Sequence, residues 1–340
     1  MELPPPASKS ENSASSLSSA ICSLPRSEKK DLPIYNTVVV SGGASKCIAA
    51  LGALHYLEEQ GCIDFVGNYA GTSAGGIICY LLAIGYTPLE IIQFLISSDF
   101  MEHFQSLNLA GLVTQRGLVN FYIINEYLEK LTLSKINFMP TFREIRRRFG
   151  KNLSVTVFNL STKKVEYFNA DTQPDMPCLT ALRMTANVPL LFERFFYEGS
   201  EYIDGGLVDN FPIEYYLSPQ NKIIGIDLTI FSGSVNRKQS YINYLLQIAL
   251  IPYMYFNAKK AKLDGVDIIS IDSQVDTFDF SLSITRRLDV FSRGYQAALN
   301  FFHPLSLPKE VPKEVVKDVP KEAPEAPKEI LKTEPEKKVE

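Results

Sequence analysis

Residues 37–47 of the chain read TVVVSGGASKC, and residues 65–75 read FVGNYAGTSAG. In each stretch a short apolar run is typical of a buried strand, and a glycine-rich turn follows it. After the first turn, Ile48, Leu51 and Leu54 repeat at helical spacing, and Gly61 is placed to end that helix. Two successive strand–turn–helix units predict a parallel α/β sheet.

Both glycine turns follow the carboxyl ends of predicted strands, so we expect them at one edge of the sheet. Ligands of open α/β sheets bind beyond that edge, and the two loops are therefore expected to face one pocket. Apolar runs at 77–84 and 245–254 are shorter than the ~20 residues of a membrane helix and predict buried helices. Further strands are predicted at 153–158, at 164–169 as its hairpin partner, and at 223–228, and further helices at 123–131 and 180–184.

The sequence Gly71-x-Ser73-x-Gly75 fits a nucleophile elbow. Such an elbow needs small residues around the serine, because the strand turns sharply into the helix there. The helix N-terminus also favours the negative charge that develops during acyl transfer. The alternative is a glycine-rich turn that only packs the helix on the sheet.

The earlier turn, Ser41-Gly42-Gly43-Ala44, can direct backbone amides at one anion, as an oxyanion hole requires. A P-loop is excluded because GxxxxGK[ST] is missing, and Ala44 breaks the dinucleotide-binding fingerprint. Lys46 opens the following helix, where a cation opposes the helix dipole. It either turns to solvent or contacts an anionic substrate.

A serine nucleophile needs a base, and the chain has three histidines. His55 and His103 sit in segments that favour packing or surface roles, and His303 borders a segment predicted to be disordered. Asp204, followed by two glycines at the end of a predicted strand, is the better candidate. Burial beside the serine would raise its pKa and strengthen it as a base. By local sequence alone, an ordinary Asp-Gly turn is the competing interpretation.

Charge and residue composition exclude several partners and cofactors. The net charge of −4 argues against nucleic-acid binding, and neither paired cysteines nor metal-ligand spacing is found, so no metal or cofactor is expected. A basic cluster on a predicted helix favours a solvated face, with anionic headgroups as the alternative partner. It comprises Arg143, Arg146, Arg147, Arg148 and Lys151.

We predict a disordered segment at 1–33, one domain at 34–303 and a disordered Pro/Lys/Glu-rich tail at 304–340. No signal peptide or membrane helix is recognised, and the five cysteines show no CxxC pairing. These features predict an intracellular, cytoplasmic protein with free thiols that meets membranes from the surface.

Together the three motifs resemble those of the patatin-like phospholipase family: a glycine-rich oxyanion loop, G-x-S-x-G and a later D-G-[AG]. They stand here at Ser41–Cys47, Gly71–Gly75 and Asp204–Gly206. The resemblance covers residues 38–212 and includes the stretch Ala181–Phe192. Three motifs in order are more specific than any one alone.

The resemblance implies a three-layer α/β/α sandwich with a mainly parallel sheet. It implies a phospholipase A-type lipid acyl hydrolase without metal or cofactor, acting on phospholipids or other acyl lipids. Ser73 and Asp204 would form a dyad, with amides of Gly42, Gly43 and Ala44 as the oxyanion hole. Ala44 and Cys47 replace glycines of the family pattern, which favours the alternative of a catalytically silent lipid-binding or scaffolding protein.

Overall fold

The computed structural model describes residues 16–19, 21–24, 32–98, 100–101, 120–228, 248, 251, 260, 263 and 265–304. In this part of the chain, eight strands form one sheet in the order β5-β6-β3-β2-β1-β7-β8, and β4 pairs with β3. The strands are β1 (Thr37–Val40), β2 (Asn68–Thr72), β3 (Asn152–Asn159), β4 (Lys164–Asn169), β5 (Phe195–Tyr197), β6 (Ser200–Asp204), β7 (Ile223–Asp227) and β8 (Asp267–Ser270).

The centre of the sheet is parallel: β3, β2, β1, β7 and β8 run in one direction. Strands β4, β5 and β6 add antiparallel pairs beside β3. The helices are α1 (Cys47–Glu59), α2 (Ala74–Ala83), α3 (Pro88–Ser97), α4 (Tyr122–Ile136), α5 (Phe142–Phe149), α6 (Cys178–Thr185) and α7 (Ile284–Phe302). Short 3₁₀ helices occur at Ala44–Lys46, Gly205–Leu207 and Pro212–Tyr216.

Successive residues of a strand face opposite sides of the sheet, and β1 shows this alternation. Val38 and Val40 belong to the large core beneath the helices, whereas Val39 packs with Phe211 and Ile213 on the other face. Helical segments lie on both faces, so the predicted α/β/α sandwich with a mainly parallel sheet is confirmed.

Helices α1 and α7 cross with their backbones in contact at two glycines. A Cβ atom on Gly52 would lie 1.9 Å from the carbonyl oxygen of Phe291, and one on Gly294 would lie 1.7 Å from that of Ala49. Such distances exclude any side chain at either position, because real Cβ contacts are never so short. The contact joins the first helix of the domain to the last helix that the structure describes.

The predicted disordered segment at 1–33 includes a few residues that the structure describes. Residues 16–19 are helical, and Leu17 and Leu24 are buried in the core with Ile21 packed against it. These three residues repeat at helical spacing, which makes an apolar stripe without a continuous apolar run. The remaining residues of this segment and the tail from 305 lie outside the described part.

The predicted helix at 77–84 corresponds to α2. Of the predicted buried helix at 245–254, only Ile248 and Ile251 are described, and they are 44% and 57% exposed. The prediction of burial is therefore wrong for these two residues. Among the helices of the described residues, none is both long and apolar enough to span a membrane.

Candidate active site

Ser73 is the single residue between the end of β2 and the start of α2. Its φ of 55° and ψ of −131° are strained for a residue with a side chain, at a cost of about 1–3 kcal/mol. Glycines make this turn possible: a Cβ on Gly71 would lie 2.6 Å from the Gly75 carbonyl carbon, and one on Gly75 2.5 Å from Val40 O. The predicted strained turn between strand and helix is confirmed.

Thr185, at the end of α6, holds the backbone of this turn. The amide of Ser73 donates a hydrogen bond to Thr185 Oγ1 at 2.9 Å. The hydroxyl of Thr185 in turn donates to the Thr156 carbonyl of β3 at 2.6 Å. The strained conformation of Ser73 is therefore fixed to a central strand, and its amide is not available to an oxyanion.

Asp204 reaches Ser73 because β2 and β6 lie end to end along β3. Strand β4 occupies one side of β3 from 154 to 159, so β2 and β6 share the other side. Thr156 pairs with Thr72 at the end of β2, and the next residue, Val157, pairs with Asp204 at the end of β6. The two strands run in opposite directions, so the serine and the aspartate meet where both strands end.

The Asp204 carboxylate is 4% exposed, lines the same cavity as Ser73 and accepts a hydrogen bond from the Gly206 amide at 2.7 Å. Burial raises the pKa of Asp204 to about 7, and its interactions with the Ser73 hydroxyl and the Gly206 amide oppose the rise. A carboxylate with a pKa near neutrality is well matched to accept the proton of a hydroxyl. The buried carboxylate predicted from the sequence is thus in contact with the predicted nucleophile.

Asn187 fixes the strand that carries Asp204. Its carbonyl accepts from the Asp204 amide at 3.0 Å, and its Nδ2 donates to the Tyr202 carbonyl at 2.8 Å. Arg183, which is buried, donates from Nη1 to Asn187 Oδ1 at 2.6 Å and from Nη2 to Glu193 at 2.9 Å. The side chain of Asn187 is therefore held at both of its polar ends.

The glycine turn after β1 lies against the elbow, as predicted. A Cβ on Gly42 would lie 3.0 Å from the Ser73 Cβ and 2.3 Å from Asn210 Oδ1. The Gly42 amide donates to the Asn210 carbonyl at 3.1 Å, and Asn210 Nδ2 donates back to the Gly42 carbonyl at 2.9 Å. The Gly42 amide is thus engaged within the protein, in contrast to its predicted role as an oxyanion donor.

Gly43 and Ala44 remain as candidate oxyanion donors. Within the described residues, neither of their amides donates a hydrogen bond, and both residues line the cavity at Ser73. Ala44 has a φ of 45°, in the left-handed region that favours glycine. The replacement of the family's glycine by Ala44 therefore preserves the amide at the cost of local strain.

Lys46 is 5% exposed, which excludes the interpretation that it turns to solvent. Burial lowers the pKa of Lys46, while the nearby carboxylates of Asp276, Asp272 and Asp227 oppose that change. The residue lines the same small cavity as Ser73 and Asp204. It thus lies inside the cavity beside Ser73 and Asp204, not at the surface.

Two cavities meet at Ser73. The smaller, of about 530 Å³, contains the polar groups of Lys46, Asp204 and Asn210. The larger, of about 980 Å³, is lined almost entirely by apolar side chains, from α1, α2, α3 and α4 and from the segments 100–101, 186–192 and 278–280. Ala44, Val188 and Phe278 line both cavities beside the serine. The arrangement places Ser73 where a small cavity that contains charged and amide groups meets a larger apolar one.

The histidines that the structure describes lie elsewhere. His55 packs between Phe291 and Tyr295 of α7, and His303 follows the end of α7. Neither lines the cavities at Ser73, and His103 lies outside the described residues. A Ser-His-Asp triad with His55 or His303 is therefore not formed.

The predicted basic cluster is largely paired. Arg143 binds Asp175 at 2.9 Å, Arg146 binds Asp171 at 2.6 Å and Arg148 lies 3.7 Å from Glu144. Lys151 donates to the Val66 carbonyl. The cluster is thus mainly an ion-paired surface.

Cys47, the other departure from the glycine pattern, is buried beside the large cavity, and all five cysteines are free.

Sequence reasoning missed Asn210, Thr185 and Asn187. Asn210 lies six residues after Asp204, and nothing in the local pattern separates it from an ordinary turn residue. Thr185 and Asn187 lie within the stretch Ala181–Phe192 that carries the family resemblance, which was the available signal. Each of the three acts on backbone groups of a distant segment.

Comparisons with known proteins identify a family and several relatives. The family model described as Patatin-like phospholipase matches residues 38–217, which is more than half of the chain. A relative named probable lipid hydrolase 463L, from Invertebrate iridescent virus 6, is 31% identical over 274 residues, covering 78% of this chain and 88% of the relative.

An uncharacterised protein of Acanthamoeba polyphaga mimivirus is 25% identical, covering 76% of this chain and 91% of its own. Among solved structures, VipD from Legionella pneumophila has a similar fold, with a TM-score of 0.50 and 19% identity. That similarity covers 81% of this chain and 69% of VipD.

Proposed function

This chain belongs to the patatin-like phospholipase family, and we propose that it is a lipid acyl hydrolase of the phospholipase A type that uses Ser73 and Asp204 as a catalytic dyad. Family membership supports lipid ester hydrolysis as the reaction. The observation that carries the finer proposal is the strand register along β3 that brings Ser73 and the buried Asp204 to the wall of one cavity, next to a larger apolar cavity.

In the first half of the reaction, Asp204 accepts the proton of Ser73 while the serine oxygen attacks the ester carbonyl. The amides of Gly43 and Ala44 stabilise the negative charge on the former carbonyl oxygen. When the tetrahedral intermediate collapses, the alcohol leaves with the proton from Asp204, and the acyl group stays on Ser73.

In the second half, a water molecule gives a proton to Asp204 and attacks the acyl-enzyme carbonyl. Collapse of this intermediate returns the proton to Ser73 and releases the fatty acid. All proton transfers thus use one carboxylate, and its pKa of about 7 allows it both to accept and to give up a proton near neutral pH.

The two cavities suggest how the substrate lies. The larger, apolar cavity would hold the acyl chain, and the smaller cavity would hold the alcohol side of the ester, with Lys46 near an anionic group such as a phosphate. Because phospholipids reside in bilayers, the enzyme would take its substrate at a membrane surface. A phospholipid is therefore the proposed substrate class.

The experiment measures fatty-acid release from mixed phospholipid vesicles by the wild type, Ser73→Ala and Asp204→Asn. Loss of a nucleophile or its base typically lowers turnover by about 10⁴–10⁶-fold, so we expect both variants to be inactive. Exposed positions supply matched controls: Ser134→Ala and Asp171→Asn change the same groups away from the site and should keep full activity.

Labelling by a fluorophosphonate reports the nucleophile directly and should occur in the wild type but not in Ser73→Ala. Activity that persists in Asp204→Asn would refute the assignment of the base. A folded wild type that releases no fatty acid from any ester would instead support the catalytically silent alternative.

A further inference from the structure

Resting on the proposed function, we infer that α2 acts as a ruler for the acyl chain: its side chains lie along the chain at fixed distances from Ser73, so that enlarging Ile77 or Leu81 stops a straight chain at that distance. The helix begins directly after the nucleophile. The residues of α2 that line the apolar cavity are Ala74, Ile77, Ile78 and Leu81. This spacing of i, i+3, i+4 and i+7 forms one stripe along one face of the helix.

The rise of an α-helix converts sequence distance along this stripe into length. At about 1.5 Å per residue, Ile77 lies ~6 Å and Leu81 ~12 Å along the axis from Ser73. An extended hydrocarbon with C–C bonds of about 1.5 Å advances ~1.3 Å per carbon. A chain bound as an ester on Ser73 would therefore pass Ile77 near its fifth carbon and Leu81 near its ninth.

Hydrogen bonds hold α2 and α4 together near Leu81 and Leu131. Tyr86 donates from its amide to the Leu81 carbonyl at 3.0 Å and from its hydroxyl to the Leu131 carbonyl at 2.9 Å. The Tyr80 and Thr132 hydroxyls, each next to one of these leucines, are 2.8 Å apart. The ends of α2 and α4 are thus joined behind Leu81 and Leu131, so a larger side chain at 81 has little room to move away from the cavity.

Helix α4 contributes a second apolar stripe of the same length to the cavity wall. From α4, the cavity is lined by Ile124, Tyr127, Leu128 and Leu131, which again repeat at i, i+3, i+4 and i+7. Leu51 of α1 and Phe94 of α3 complete the apolar surround. A larger side chain on α2 would consequently project into the space between facing apolar walls, where a chain of methylene groups would lie.

The test measures the rate at which the wild type, Ile77→Phe and Leu81→Phe hydrolyse p-nitrophenyl esters with acyl chains of four to sixteen carbons. Each rate is divided by the rate of the same protein on the four-carbon ester. This division removes any common loss from reduced folding. We expect Leu81→Phe to lose at least about tenfold on esters longer than nine carbons, since one misplaced methylene in an apolar pocket costs ~10–200-fold. Ile77→Phe should show the same loss beyond five carbons.

A second measurement needs no catalysis: the affinity of each protein for free fatty acids of the same lengths, read by displacement of a fluorescent fatty acid. We expect the same two breaks, that is, a drop in affinity beyond five carbons for Ile77→Phe and beyond nine carbons for Leu81→Phe. Breaks at one common length, or profiles identical to that of the wild type, would overturn the ruler. If the two variants bind fatty acids with these breaks but the wild type hydrolyses no ester, the proposed function is refuted and the ruler stands.

Discussion

The turn after β1 presents backbone amides to the site, whereas the turn after β2 presents a side chain. Both are glycine-rich turns between a strand and a helix, and each contains one non-glycine residue with a positive φ: 45° at Ala44 and 55° at Ser73. The first depends on the shape of its backbone, and the second on the identity of one residue. Neighbouring turns of similar sequence thus contribute different kinds of chemistry.

The two turns are also supported differently. The amide of Ser73 is held by the side chain of Thr185, whereas Gly42 is held through both its amide and its carbonyl by Asn210. Gly42 also approaches the Ser73 Cβ, so the backbone turn and the side-chain turn share one contact. The comparison can be tested by changing one turn at a time.

The largest effect is expected from Gly42→Ala. The added methyl would lie 2.3 Å from Asn210 Oδ1 and 3.0 Å from the Ser73 Cβ, so the turn must shift and carry the amides of Gly43 and Ala44 out of position. Loss of an oxyanion donor typically costs about 10²–10³-fold in turnover, and we expect a loss of that size in ester hydrolysis.

Gly67→Ala is the matched control for this substitution, because a Cβ at that position has no neighbour within 4 Å. It should keep wild-type activity. Unchanged turnover in Gly42→Ala would show that the turn after β1 does not contribute to catalysis.

The next effect, of about 100-fold, comes from pH. It separates the two turns, because the backbone amides of the turn after β1 do not titrate in this range, whereas Asp204, the base for Ser73, does. Asp204 acts as a base only when it is ionised, and burial raises its pKa to about 7. The value of kcat/KM should therefore fall about tenfold for each pH unit below 7, to roughly one hundredth at pH 5, and reach a plateau above pH 8. Initial rates on a soluble ester between pH 5 and 9 measure this profile; a rate that stays constant down to pH 5 would contradict the proposed base.

The smallest effect is expected from Ala44→Gly. A left-handed conformation costs an alanine about 1–2 kcal/mol, but glycine gains freedom in the unfolded chain worth about 0.4–1 kcal/mol. The free energy of unfolding, from denaturant titration, should therefore change by less than about 1.5 kcal/mol, and turnover by less than about threefold. A tenfold gain in turnover would show that the alanine misdirects its amide.

Local sequence predicted the two turns well because their glycines and apolar runs act over a few residues. The predicted strand at 37–40 matches β1, and the hairpin of β3 and β4 is confirmed. The strand predicted near 65–70 lies instead at 68–72. Phe65 was included for its apolar side chain, yet it is 73% exposed and precedes the strand.

Long-range pairing could not be predicted in the same way. Nothing near Asp204 in the sequence shows that β6 continues the line of β2 along β3, although that register brings the aspartate to the serine. For the same reason the sequence indicated three oxyanion amides, whereas the carbonyl of Asn210 engages one of them. The motif order supplied by the family resemblance replaced this missing information for Ser73 and Asp204.

The crossing of α1 and α7 has a consequence for the synthesis of the chain. The surface of α1 around Gly52 is covered by residues near Gly294, about 240 positions later. At roughly 5–20 residues per second, a ribosome needs about 12–50 s to make the intervening chain. During that interval the apolar side chains of α1 that α7 later covers are exposed to other hydrophobic surfaces, so the nascent protein is a natural client for chaperones until α7 has emerged.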